Sequence, residues 1–242
     1  MSNTPSPQAH EAKKSHIRSM FDRIAPSYDR LNHLLSLNID RLWRRQVVRI
    51  VREQAPSRIL DVATGTGDLA IDLARRLPDV QLLGADISEE MLAIARTKIA
   101  RNGLDSRIEL TVEDAERLSL AEASVDTVTV GFGVRNFADI DAGLREFHRV
   151  LKPGGQAVVL ELSRPDNRIV RTVFEWYFHR LLPRIGGLIS RDRKAYEYLP
   201  ASVKAFPAPE RFLGMMQAAG FRNCRARSQS FGIARIYTGE KM

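Results

Sequence analysis

The stretch ILDVATGTGDLA, residues 59–70, constrains this chain more than any other. A short apolar run closes on Asp61, a loop carries Gly65 and Gly67, and the helical run DLAIDLARRLP follows until Pro78 stops it. Strand, glycine loop and helix in that order open a parallel α/β fold, where ligands sit at the carboxyl ends of the strands. The pattern then repeats. VQLLGADIS reads as a second strand ending at Asp86, and SEEMLAIARTKIARNG as a helix capped by Ser88 and stopped near Gly103. RIELTVEDA and VDTVTVGFGV are the third and fourth strands, DIDAGLREFHRVLKPGG a helix with a Pro-Gly-Gly turn, and QAVVLELS the fifth strand. A helix over PERFLGMMQAAGF and two strands in NCRARSQSFGIARIYTGEK, forming a hairpin edge, complete the sheet.

Two regions lie outside this alternation. Residues 1–12 read as a frayed tail. Residues 14–55 carry apolar residues at helical spacing, Ile17, Met20, Phe21 and Ile24 first, with an interruption at Pro26. Residues 164–205 are aromatic and basic and read as an inserted helical cap. The expectation is one domain over residues 1–242, with an N-terminal helical lid over 1–55. Its 242 residues and 44% hydrophobic content suit a single packed core.

Composition sets outer limits. No run approaches the ~20 apolar residues of a membrane span, and the polar N-terminus has no signal-peptide core, so a cytoplasmic protein is expected. The single Cys224 excludes an internal disulfide and a cysteine-rich metal site. Lys and Arg exceed Asp and Glu by 37 − 29 = 8. That balance suits nucleic acid, an anionic lipid surface, or simple solubility.

The loop Gly65-Thr66-Gly67-Asp68-Leu69-Ala70 fits the dinucleotide pattern G-x-G-x-x-G/A, and Asp86 lies where a ribose-binding acid belongs. Asp61 argues otherwise. A pyrophosphate needs backbone N–H groups and positive potential at that place, and a carboxylate repels it. The same carboxylate suits S-adenosylmethionine (SAM), which brings an ammonium and a sulfonium. Gly65 and Gly67 allow its close approach. Asp86 can accept from both ribose hydroxyls, and Asp114 with the N–H of Ala115 can hold the adenine. For each aspartate alone the plain alternative is a helix cap; their succession at strand ends favours a ligand.

Beyond this reading, DVATGTGDLA, GADIS, VEDA and RVLKPGG resemble the motifs of Rossmann-like SAM-dependent methyltransferases. MFDRIAPSYDRLNHLLSLNIDRLWRR (20–45) and GFGVRNFAD (131–139) resemble more narrowly the quinone-biosynthesis C-methyltransferases of the UbiE/MenG/COQ5 family. LELSRP, LPRIGGLISRDRKAYEYLPASVKAFP and MMQAAGF are similar to it too, so the likeness runs from about residue 15 to the end. It implies a mostly parallel sheet with helices on both faces. It also implies methylation of a ring carbon of demethylmenaquinol, of the benzoquinol precursor of ubiquinone, or of both. It places SAM contacts at Thr64, Asp86, Asp114, Ala115 and Gly131, where serine is common in the family, and it suggests self-association.

Carbon methylation of a quinol needs orientation and a favoured phenolate. Arg135, past the fourth strand, is the candidate to stabilise the phenolate or hold a water that takes its proton. Tyr28 is a candidate to pack on SAM or bond the acceptor, and Asn136 to orient a ring oxygen. The plain alternatives are an ion pair, core packing and a turn residue. His33 and His148 are weaker candidates. For 164–195 two readings stand: a cap on the sheet, or a peripheral contact at the inner face of the cell membrane through Val170, Val173, Phe174, Trp176, Tyr177 and Leu181 among arginines. Amino- and cytosine-C5-methylation of nucleic acid are disfavoured, because GFGVRN stands where amino-methylating enzymes carry Asn/Asp-Pro-Pro-aromatic and Cys224 is too far downstream for the cytosine C5 type; neither argument touches ribose methylation. A non-enzymatic partner subunit would not be expected to keep the glycine loop.

Overall fold

A computed structural model describes residues 7–176 and 193–242. Seven strands form one sheet in the order β3-β2-β1-β4-β5-β7-β6. They are β1 (Arg58–Val62), β2 (Gln81–Asp86), β3 (Ile108–Val112), β4 (Val125–Gly131), β5 (Leu151–Leu162), β6 (Arg222–Gln229) and β7 (Ala234–Glu240). The first five are parallel, and β7 runs antiparallel to both β5 and β6. The anticipated hairpin therefore forms the edge, with its second strand on the inside.

Both faces are covered, so β1 and β4 are buried along nearly their whole length, Asp61, Thr127 and Thr129 included. On one face lie α3 (Ile39–Glu53), α4 (Asp68–Arg76) and α5 (Glu89–Arg101), burying Val47, Val51, Leu73 and Ile99 against Ile59 and Leu82. On the other lie α6 (Ile140–Val150) and α9 (Pro209–Ala218), burying Phe147, Phe212 and Met216 against Leu60, Val128 and Tyr237. Ser88 caps α5 by accepting from Met91 N at 3.2 Å, and Asp139 caps α6 by accepting from Ala142 N at 2.9 Å.

A third cluster positions the site. Ile17, Met20 and Ile24 of α1 (Pro7–Ile24) meet Met91 of α5 and Val203 of α8 (Arg193–Ala205). Tyr28 of α2 (Tyr28–Leu35) and Phe174 of α7 (Arg168–Trp176) pack against them. Lid and insertion thus meet each other at the site. The described part of the 164–205 insertion is helical, as expected; residues 177–192, with Tyr177 and Leu181, lie outside the described residues.

Two local readings need correction. Residues 7–12 are not a frayed tail but the first turns of α1, opened by Pro7. The helix is anchored far from its own sequence: Lys13 Nζ donates to the Phe137 carbonyl, and Lys14 pairs with Asp114 and Glu116. The helical run after Pro26 is also broken, because Leu37 and Asn38 adopt φ of 52° and 60° between α2 and α3.

Candidate active site

The loop after β1 turns on Gly65 (φ +56°) and Gly67 (φ +81°). A Cβ on Gly67 would stand 3.2 Å from Ala95 Cβ, so its glycine lets α4 start close against α5. A Cβ on Gly65 would meet nothing within 4 Å. Gly65 faces a cavity of about 720 Å³ that is partly open to solvent. The cavity runs along the carboxyl ends of the strands beneath α1, and Lys14, Ile17 and Phe21 roof it.

Tyr28, Gly65, Asp86, Asp114, Ala115, Gly131 and Asn136 all line this cavity, although 108 residues separate the first from the last in sequence (136 − 28). Asp86 accepts from Gly65 N at 2.8 Å and Ser88 N at 2.9 Å. Burial drives its pKa up to about 6 against these N–H groups, and Asp22 adds to the rise. Asp114 accepts from Glu116 N at 2.9 Å and from Lys14 Nζ at 2.6 Å. Burial pulls Lys14 down, but the carboxylates of Asp114 and Glu116 outweigh it and raise its pKa.

Asp61, Thr64 and Gly67 stand behind this wall. Asp61 is 1% exposed and accepts the hydroxyls of Thr64 and Thr129, each at 2.6 Å. Burial raises it to about 6, and the nearby Asp86 contributes to the rise. Geometry thus joins Asp61 and Thr64 to each other, which holds the loop in shape.

Arg135 is also set behind the wall. Its Nη1 pairs with Glu161 at 2.7 Å and donates to the Phe132 carbonyl, while its buried Nε has no hydrogen-bond partner. Burial would lower its pKa, but Glu161 and the neighbouring Tyr28 hold it raised. Burial raises the Tyr28 and Tyr198 hydroxyls, and the Arg135 charge works against both shifts. Tyr198 of α8 donates to Asn136 Oδ1 at 3.2 Å.

The sequence reading gave no role to Glu161, Tyr198, Lys14 or Glu116. LELSRP, which holds Glu161, and KAYEYLP, which holds Tyr198, were both in view as motifs; what was missing was their partners. The histidines stand elsewhere. His33 lies between Asp40 (2.9 Å) and Asp68 (3.4 Å), with ligand-type atoms of the three within 4.8 Å, but Arg44 and Lys98 already pair with those carboxylates. His148 sits edge-on to Phe221 at 5.2 Å, and burial lowers its pKa.

Chemically, Asp86, Glu113, Asp114 and Glu116 surround the cavity. Among the described residues the one basic side chain on its wall is Lys14, which is already paired. Such a site repels a pyrophosphate and suits hydroxyls, amines and cationic groups.

The sequence profile of the ubiE/COQ5 methyltransferase family matches residues 9–241. A ubiquinone/menaquinone biosynthesis C-methyltransferase UbiE of Geobacter sulfurreducens is 48% identical over 230 residues, 95% of this chain and 90% of that protein. A demethylmenaquinone methyltransferase of Thermus thermophilus is 50% identical over 222 residues, 92% of this chain and all of that one. The fold matches the crystal structure of a SAM-dependent methyltransferase from Thermotoga maritima, described as a possible histamine N-methyltransferase. That match has a TM-score of 0.65 at 20% identity and covers 94% of this chain and 100% of that one.

Proposed function

Because the chain belongs to the ubiE/COQ5 methyltransferase family, it is a methyltransferase, and we propose that it methylates a ring carbon of demethylmenaquinol to give menaquinol, with SAM as donor. The observation that carries the SAM reading is the cavity at the strand ends, which combines open space over Gly65 with the half-buried carboxylate of Asp86 and that of Asp114. Asp86 would accept from the ribose hydroxyls. Asp114 and the Ala115 N–H would hold the adenine once Lys14 yields its place on that carboxylate. Thr64 and Asp61 would keep the loop in register, and Gly131 would let the ligand approach β4. SAM supplies an electrophilic methyl group when bound.

On the acceptor side, Tyr28 and Asn136 are the groups on the cavity wall that would orient a ring hydroxyl. Arg135 acts through them as a positioning group. Its buried cation, close to both tyrosines, favours negative charge on an acceptor oxygen in a place with little water to screen it. The same charge would stabilise the phenolate, whose adjacent ring carbon would take the methyl as the donor's carbon–sulfur bond breaks and would then lose its proton to water.

A benzoquinol acceptor, or both acceptors, is the second reading, supported by the 48% identity to a protein named for ubiquinone and menaquinone. The acidic cavity wall disfavours nucleic acid. Among the described residues no helix is long and apolar enough to cross a membrane. Incubation with SAM and a water-soluble short-chain demethylmenaquinol tests the reading: the product should gain one ring methyl by mass spectrometry as S-adenosylhomocysteine appears. A product unchanged in mass, or tight binding of NADH in place of SAM, overturns it.

A further inference from the structure

Two loops display large apolar side chains in water through backbone conformations that such residues avoid. Leu37 and Asn38 lie at φ of 52° and 60°, and Ser230 and Phe231 at 45° and 59°. Consecutive non-glycine residues in the left-handed region are strained, and core burial would normally compensate. Here it does not: Leu37 is 72% exposed and Phe231 80%.

The loops are tied together. The Trp43 indole N–H donates to Ser230 Oγ at 2.9 Å, and the Trp43 ring stands 6.1 Å from Phe132, which lines the cavity. Next to Trp43, Leu42 is also exposed. The backbone at Gly232 packs on Pro165 and Asp166, so α7 starts beside the same loop with Ile169 exposed. Arg41 and Arg45 on α3 and Arg168 at the start of α7 are exposed as well. The acids nearby are occupied: Asp40 pairs with Arg44 and Asp166 with Arg235.

We propose that Leu37, Leu42, Phe231 and Ile169, with Arg41, Arg45 and Arg168, form a docking surface for an anionic lipid bilayer. The apolar tips enter the headgroup layer and the guanidinium groups meet lipid phosphates. This rests on the proposed acceptor, whose prenyl tail keeps it in lipid. It moves the main contact from the 164–195 segment to the turn before α3 and the β6–β7 turn, with α7 as a flank. A two-fold pairing with a second copy is disfavoured, because it would set these arginines against their own copies.

Co-sedimentation with vesicles of phosphatidylglycerol and phosphatidylcholine, or of phosphatidylcholine alone, tests the surface. The wild-type protein should bind the anionic vesicles at low salt and leave them at high salt. Leu37→Ser with Phe231→Ser, and separately Arg41→Ser, Arg45→Ser and Arg168→Ser together, should each weaken binding roughly tenfold or more. Both variants should keep wild-type turnover on the soluble short-chain quinol and lose roughly tenfold on a long-chain acceptor carried in vesicles. Absent vesicle binding, or undiminished binding by both variants, overturns the proposal. So does light scattering that shows the serine variants splitting an oligomer while vesicle binding persists. Failure to methylate the soluble quinol would instead strike the proposed reaction, and vesicle binding is read without it.

Discussion

Asp126 and Asp86 belong to the same parallel sheet, one near each end of it, and burial opposes ionisation of both. At the amino end of β4, Asp126 accepts from Ser57 N at 3.0 Å, Ser57 Oγ at 2.7 Å, Arg58 N at 2.8 Å and Lys152 Nζ at 2.7 Å. Burial pushes its pKa up, but Lys152, Ser57 and the two N–H groups outweigh it and hold the carboxyl at about 2. At the carboxyl end of β2, Asp86 has N–H donors, and the acids Asp22 and Asp61 lie nearby. Its pKa stands at about 6. One end of the sheet is electrostatically complete; at the other, beside the paired Glu161 and Asp114, the buried Asp61 and the half-buried Asp86 form no ion pair among the described residues. The first is architecture, and the second is poised for a ligand with hydroxyl and cationic groups.

The contrast is open to direct attack, and the largest effect is expected at Arg135. Arg135→Ala leaves Glu161, 0% exposed, as an uncompensated buried charge. Unfolding in urea should show a loss of about 3–5 kcal/mol. Turnover on a soluble quinol should fall further than SAM affinity. Glu161→Gln added to the same chain should restore part of the stability and none of the turnover. An Arg135→Ala protein as stable as the wild type would mean that this end carries no buried pair.

Asp86→Ala comes next. Calorimetric titration should show SAM or S-adenosylhomocysteine binding weakened by about 1.5–3 kcal/mol, as for hydrogen bonds to a charged group. An unchanged Kd removes Asp86 from the site. The matching change at the other end, Asp126→Ala, should leave that Kd alone and cost about 1–2 kcal/mol of stability. If Asp126→Ala instead weakened ligand binding, the two ends would not be separable.

The smallest effect is in pH dependence, and the two ends have opposite signs. Asp61 and Asp86 have folded pKa values of about 6 against an ordinary 3.8, so their contribution is complete below pH 3.8 and is lost as pH rises through 6. Asp126, held at about 2, contributes above pH 3.8 and loses that contribution as pH falls through 2. Asp86→Asn should therefore melt about 2–4 °C above the wild type at pH 8 without ligand, roughly 1 kcal/mol for a domain of this size. The gap should close by pH 4. A variant less stable at both pH values would show that the N–H groups of Gly65 and Ser88 need the full carboxylate.

The sequence made one of these ends legible and hid the other. Asp86 ends a strand, and Asp114 and Gly65 follow strands, each within its own short segment, so a short apolar run and a glycine suffice to find them. The five parallel strands were readable for the same reason. Arg135 was found, but its partner Glu161 lies 26 residues on, at the end of a different strand. Tyr198 meets Asn136 across 62 residues and Lys14 meets Asp114 across 100. No periodicity encodes such pairs, because they depend on how the lid and the insertion close over the sheet. The same cause explains the misread start of α1. Its first turns look like a polar tail until Lys13 and Lys14 find partners on the far side of the cavity.

The order of the strands also has a meaning for how the protein is made. β7 follows β6 in the chain yet lies between β6 and β5, and β6 pairs with β7 alone among the strands. A ribosome therefore completes β5 well before the strand that covers its outer edge, and it completes β6 with nothing to pair to. Until residues 234–240 emerge, β5 offers a row of free N–H and C=O groups, a template for stray pairing. Chains lacking β7 would keep a five-stranded parallel sheet open on that side. The hairpin that looks like an appendage is what covers the outer edge of β5.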